Sequence, residues 1–512
     1  MVCSVDHLAS AAGVAVLRDG GSAVDAAVAA SATLAVTCPH LCGMGGDLWA
    51  LVHVPGDAVP AALDASGRAG SGADPRRLIG EGHTTMPFQG DLRSAPVPGC
   101  VDGWLALHER FGRLPLERVL AAASTHAVTG FPASPLLAAA SQVLLGIDGA
   151  RDLVGGGLRA GEVVRRHGVA HALRAIVAEG RHGFYEGDFG HGLLRLGAGE
   201  YAVEDLRRPL ADWVEPLSVS AWGHVLWTVP PGSQGYLTLL GAAIADGLDL
   251  PDDPDDPRWA HLLVEAARAA GHDRPEVLHE GADVRPLLAP DEVERRRALI
   301  APDRRNPMLP AGTAAGGTMF LCAGDADGMA VSLIQSNASG FGCHVFEPTT
   351  GIGLHNRGIG FNLRVGHPAC YGPGRRPPHT LSPALVTDGA GSLRAAVGTM
   401  GGDSQPQILL QVLARHLHHG ASAGAAISAP RWVLAGRTGF DTWADPDGAA
   451  VLLEHGAPPA WADGLVARNH PVQQAIPAQS HTFGHAHLLA MTDAGWAGAS
   501  DPRSIVGAAL GY

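Results

Sequence analysis

The chain has 512 residues, 46% hydrophobic and 17% charged, and its 50 acidic against 36 basic side chains leave a formal charge of -14. That balance excludes a nucleic-acid partner, which needs a basic footprint. The sequence contains no lysine, so all 36 basic side chains are arginine. A pyridoxal Schiff base, a P-loop lysine contact, a kinase lysine-glutamate pair and a Ser-Lys dyad are thereby ruled out together.

The N-terminus, Met1-Val2-Cys3-Ser4-Val5-Asp6-His7, has no basic region and leads directly into an Ala-rich amphipathic helix, so no secretory signal is read. The longest weakly apolar run, about Ala26 to Val36, is too short to span a bilayer. A cytosolic protein without a membrane partner is expected. Seven cysteines between Cys3 and Cys370, an odd number, fit buried thiols better than a disulfide framework. Cys38 and Cys42 flank Pro39-His40-Leu41 like a metal clip, but no second ligand pair follows. After Gly20-Gly21, Ser22 and Asp25 form a capping-box-like helix start, and a strand follows near Leu48 to Val54. From Trp104 to Ile300 the pattern is mainly helical, with helices at Leu136-Leu145, Ala170-Glu179 and Ala260-Gly271 and strands near Ser218-Val229. Pro251-Pro257 and Ala301-Pro310 read as exposed turns or linkers. Beyond Thr318 strands dominate, with helices from about Gln405 and Ser422. His416-Leu417-His418-His419 closes the first of these, where cationic or polar groups suit the helix dipole and Gly420 suits a C-terminal cap. His485 and His487 share one face of a strand. No HExxH occurs, and no metal or cofactor is expected.

The most informative stretch begins at Gly316-Gly317-Thr318. An apolar strand starts at Thr318, Asp325-Ala326-Asp327-Gly328 reverses it, and a second strand returns with Ser336 at its far end. Antiparallel pairing would bring Ser336 back beside Thr318. Cutting the Gly317-Thr318 bond would give Thr318 a free α-amine with a reference pKa of about 8, able to act as base for its own hydroxyl. Gly317 would tolerate the strained backbone that self-cleavage demands.

This segment resembles the start of the small subunit in the γ-glutamyltransferase family of N-terminal nucleophile hydrolases. Further blocks agree in the family's order: Gly20 to Ala29, Gly43-Met44-Gly45-Gly46-Asp47, Val97 to Trp104 with Phe111 to Pro115, Pro230 to Gly235, Gly342-Cys343 with Gly351 to Leu354, Arg376 to Thr380, Met400-Gly401-Gly402-Asp403, and Ser500 to Arg503. The resemblance implies an α+β fold, a four-layer αββα sandwich. It implies autocleavage at Gly317 and Thr318 into a helix-rich large subunit (1–317) and a strand-rich small subunit (318–512), held as one intertwined heterodimer. Thr318 would be the nucleophile, Ser336 its hydroxyl partner, and Gly401 and Gly402 the oxyanion donors, although a strand-to-helix turn capped by Asp403 or Ser404 explains those glycines too. The substrate would be a small acyl amide, its acyl group passed to water or an amine.

Departures from the family concern recognition. Transpeptidases hold an α-amino group with an amide and a carboxylate after an Asn pair; the stretch here is His355-Asn356-Arg357-Gly358-Ile359-Gly360, with Arg357 for the amide and Gly360 for the carboxylate. Asn337, Asn356, Arg357, His379 and Thr380 are the expected substrate-binding residues. Arg68, two residues beyond the family's arginine position, could grip a carboxylate or be a solvated loop residue. An arginine at 357 favours an anionic or neutral acyl group, γ-glutamyl or a dicarboxylic analogue such as glutaryl. The short interval from Phe361 to Arg376 implies an open, lidless cleft, and Gly360→Asp with Arg357→Gln should restore γ-glutamyl activity. The competing expectations are an unprocessed member that binds a carboxylate metabolite, a biosynthetic hydrolase with a non-glutamyl substrate, and a histidine-based metal amidohydrolase.

Overall fold

The computed structural model of the chain describes residues 1–154, 157–307, 317–435 and 450–512. Two antiparallel sheets lie at its centre. One runs in the order Ala508–Leu510, Val2–Ser4, Gly317–Gly324, Ala330–Ala338, Asp47–His53, Ala61–Ala65, Asp212–Val214. The other runs Gly495–Ser500, Ala486–Thr492, Leu393–Thr399, Ala384–Thr387, His224–Thr228, Leu217–Ala221.

Period-2 alternation explains how one strand can serve two cores. Leu321, Ala323, Val331 and Leu333 point into a core shared with the helices Ala23–Thr37, Cys100–Phe111, Leu116–Thr129 and His167–Tyr185. Phe320, Cys322, Ala330 and Ile334 point the other way, packing with Trp49, Leu385, Ala396 and Leu489 between the sheets. The second sheet buries its outer face under Tyr236–Asp246, Pro257–Gly271 and Gln405–Leu413. The result is the expected αββα sandwich.

Every residue of Ala23–Thr37 is buried, which accounts for its alanines: a helix packed on all sides needs small side chains to let its neighbours approach. Its start is the expected capping box, with Asp25 N donating to Ser22 Oγ (3.1 Å) and Ser22 N to Asp25 Oδ2 (2.9 Å). The helix expected at Leu136–Leu145 divides instead into Pro135–Ala140 and a 3₁₀ turn, Ser141–Leu144, where the Ser141 hydroxyl donates back to Ala138 O at 2.9 Å. All seven cysteines are buried and unpaired.

The strands Gly317–Gly324 and Ala330–Ala338 form the predicted hairpin. Asp325 Oδ1 accepts from the N–H groups of Asp327 and Met329 (both 3.0 Å), and Gly328 takes φ 90° to close the turn. The register pairs Met319 with Gln335, then slips so that Gly317 faces Ala338. This bulge sits where the strand reaches Ser336, a place where bulges re-aim side chains. Strands from both sides of position 318 share each sheet, so the whole is one interlocked unit.

Candidate active site

Thr318 and Ser336 meet at the end of the hairpin, their hydroxyl oxygens 2.9 Å apart and both side chains fully buried. Ser336 Oγ also accepts from Ala338 N (2.8 Å), a bond the bulge makes possible, and from Arg357 Nη2 (3.1 Å). Ser336 Oγ therefore stands between the Thr318 hydroxyl and the guanidinium of Arg357.

Arg357 spans the site. Its Nη1 donates to Thr380 Oγ1 at 3.0 Å, and its Nε lies 3.5 Å from Asp47 Oδ2. Asp47 Oδ2 also meets His355 Nδ1 (3.0 Å) and His379 Nε2 (2.9 Å), while Oδ1 accepts from Gly67 N (2.7 Å). All of these side chains are buried. Burial opposes charge on Asp47, yet His355 and His379 hold it well below the usual carboxylate range. His379, pushed down to about 3 by burial and by the Arg357 charge, is neutral and donates from Nε2. Burial brings Arg357 down to about 10 against the pull of Asp47, so it remains a cation at neutral pH. The other nitrogen of His355 faces Pro96 O at 2.8 Å, so both ring nitrogens meet oxygen acceptors.

The third component is the turn after Leu393–Thr399. Gly401 (φ 141°) and Gly402 (φ 55°) adopt backbone that L side chains avoid. Their carbonyls are committed: Gly401 O accepts from Ser404 N (3.0 Å) and Oγ (2.7 Å), and Gly402 O from Gln234 Nε2 (3.0 Å). Neither glycine N–H donates to a described residue, as an oxyanion hole requires. Asp403, next in sequence, is ion-paired with Arg274 Nη2 at 2.8 Å.

Several expected residues are differently employed. Arg68 is held by Glu280 Oε1 (2.7 Å), Gly374 O (3.0 Å) and Asp212 (3.6 Å), away from the Thr318–Ser336–Arg357 group. Asn356 staples backbone, accepting from Ser339 N (3.0 Å) and donating to Phe88 O (2.7 Å). Asn337 donates to Pro39 O at 3.1 Å, and its Oδ1 is buried without a partner among the described residues. Among the described residues Thr318 is 0% exposed rather than open to a cleft, and residues 274–280 pair with other loops through Arg274–Asp403, Glu276–Arg364 (3.1 Å) and Glu280–Arg68. Restoring a carboxylate at Gly360 is also not a simple exchange, because a Cβ there would overlap Pro378 O. Among the described residues no group of three potential ligands could hold a metal ion. Asp47, Gln234 and His355, which lie in the blocks quoted above with no role assigned to them, and Arg274, which lies in none, belong to this environment.

A buried hydroxyl pair at the end of a hairpin within an αββα sandwich is what an enzyme of the N-terminal nucleophile hydrolase type presents. The gamma-glutamyltranspeptidase family profile matches residues 9–511, and the chain belongs to that family. It is 34% identical to the oxamate amidohydrolase proenzyme of Klebsiella pneumoniae over all of this chain and 98% of that one. It is 35% identical to the glutathione hydrolase-like YwrD proenzyme of Bacillus subtilis, covering 86% and 85%. Its fold superposes on the crystal structure of cephalosporin acylase from Bacillus halodurans with a TM-score of 0.88 at 30% identity, covering 99% and 94%. These relatives support a role in amide hydrolysis or acyl transfer.

Proposed function

We propose that the Thr318 hydroxyl attacks the Gly317 carbonyl, that water resolves the resulting ester, and that the chain matures into segments 1–317 and 318–512, which stay associated. The word proenzyme in the relatives' names supports this reading. In turnover the freed α-amine takes the Thr318 proton as Oγ1 adds to the substrate amide carbon. The tetrahedral oxyanion is received by the N–H groups of Gly401 and Gly402, and losing one such donor costs about 10²- to 10³-fold in rate. The ammonium returns its proton to the departing nitrogen, the C–N bond breaks, and the Thr318 ester passes its acyl group to water or to an amine.

The acyl group is a short one that carries a carboxylate. Arg357 bonds to the hydroxyl that touches the nucleophile, so its Nη2 lies at most about 6 Å from Thr318 Oγ1. A carboxylate bonded to the amide carbon meets Arg357 within that distance, and the far carboxylate of a glutaryl or γ-glutamyl group, roughly 5 Å beyond the reacting carbonyl, meets it when the acyl chain runs at an angle to the line from Thr318 to Arg357. That contact carries the reading. The Klebsiella relative is named for oxamate, whose carboxylate is bonded to the amide carbon. The test is kcat/KM of the mature protein on oxamate, succinamate, glutaramate and glutathione. Oxamate should lead and glutaramate should fall at least about tenfold below it. Preference for glutaramate or glutathione would restore the longer γ-glutamyl-type acyl group.

A further inference from the structure

We propose that Asp47 is a positioning residue of the acyl pocket, which fixes the guanidinium of Arg357 and so sets the affinity for the acyl carboxylate. The inference rests on the role given to Arg357 above. Asp47 opens the strand Asp47–His53, directly across from Ser336 in the register, so the sheet delivers its carboxylate to the floor of the site. Three donors converge on that carboxylate from separate parts of the chain, Gly67 N and the rings of His355 and His379, and Arg357 Nε stands 3.5 Å away as an ion-pair partner outside hydrogen-bond geometry. A carboxylate this buried needs such a set, since an isolated charge in a dry interior is expensive.

The geometry divides the guanidinium in two. The Nε edge faces Asp47, while Nη1 and Nη2 face Thr380 and Ser336, toward the nucleophile. A planar cation pinned along one edge presents the remaining donors in a fixed plane, which is the requirement for two-point recognition of a carboxylate. Asp47 with its two histidines, and Asp403 with Arg274, are the charged and titratable groups that act on Arg357. Of these groups only Asp47 both ion-pairs with Arg357 and touches the loops carrying positions 67, 355 and 379. A purely architectural role would have Asp47 hold those loops without influencing the charge on Arg357.

The two roles separate in the split between KM and kcat and in rescue by the conservative variant. Mature wild type, Arg357→Met, Asp47→Asn and Asp47→Glu would be compared at neutral pH by kcat and KM for oxamate and by the inhibition constant of oxalate. Asp47→Asn should raise KM and the oxalate constant at least tenfold and leave kcat within about threefold, since the counter-ion of Arg357 is lost. Asp47→Glu keeps the charge, so it should recover most of that affinity; it carries the test alone if Asp47→Asn does not mature. An oxalate constant for Asp47→Asn unchanged from wild type, or one for Asp47→Glu as weak as that of Asp47→Asn, overturns the proposal. If Arg357→Met has wild-type constants, or wild type neither cleaves oxamate nor binds oxalate, the acyl-pocket reading itself falls, and this inference falls with it.

Discussion

Ser336 does three things with one oxygen. It accepts from Ala338 N and Arg357, and it stands 2.9 Å from Thr318 Oγ1. Removing it would leave a buried guanidinium nitrogen and a backbone N–H without their acceptor, as well as leaving the nucleophile unoriented. Ser336→Ala should therefore fold and slow self-cleavage by about 10²-fold, followed as the loss of full-length chain on denaturing gels. Wild-type cleavage kinetics would show that the contact with Ser336 does not orient Thr318. The pairing itself was legible in the sequence, because strand alternation and an Asp-x-Asp-Gly turn place residues 318 and 336 opposite one another by counting alone. Arg357 was legible as a substitution in a known block. Asp47 also lay in a known block, but its role was not legible, since its partners His355 and His379 lie 308 and 332 residues away, and only the folded chain brings them together. Arg68 shows the converse: a plausible arginine in a plausible loop, but Glu280 and Asp212, which no motif flagged, hold its guanidinium.

At the scale of elements, the Gly43–Gly46 turn does for the back of the site what Gly401–Gly402 does for the front. A Cβ on Gly46 would overlap the carbonyl of Ser336 and come within 2.9 Å of Asn337 Oδ1, and one on Gly45 would strike Gly353 O. The turn is thus packed backbone to backbone against the strand that carries Ser336, which is why glycine is needed there. Gly46→Ala should cost about 1–3 kcal/mol through overpacking and displace Ser336, slowing self-cleavage at least tenfold while most of the protein remains soluble. Melting temperature and the cleavage time course would measure both effects, and an unchanged time course would separate this turn from the site. Element types were readable where a pattern was long: the hairpin, the capped helix at Ala23–Thr37 and the helix Pro257–Gly271. Lengths were less readable, as at Ser141, where a side-chain hydroxyl competes for the backbone, and at Gly180 (φ 58°), where the helix expected to stop at Glu179 breaks and runs on to Tyr185.

On the scale of the molecule, the two segments divided by position 318 share both central sheets. Val2–Ser4 lies between Ala508–Leu510 and Gly317–Gly324, and Asp47–His53 lies against Ala330–Ala338. A break before Thr318 would remove no strand from either sheet, and the fragments should remain together until denatured. The sandwich was foreseen only through the family resemblance, because composition and periodicity give layers of helix and sheet without their order. Burial of Thr318 was not foreseen at all. It belongs to the packing of the strand end that carries Thr318 against Ser336, and a short interval elsewhere in the sequence carries no information about that.

The most direct measurement is the intact mass, under denaturing conditions, of purified wild type beside Thr318→Ala. Two wild-type fragments dividing between Gly317 and Thr318, which co-elute under native conditions, with a single undivided Thr318→Ala chain, are the expected result. A wild-type chain that stays whole after prolonged incubation would contradict the assignment of Thr318 as the nucleophile and leave a carboxylate-binding protein in its place.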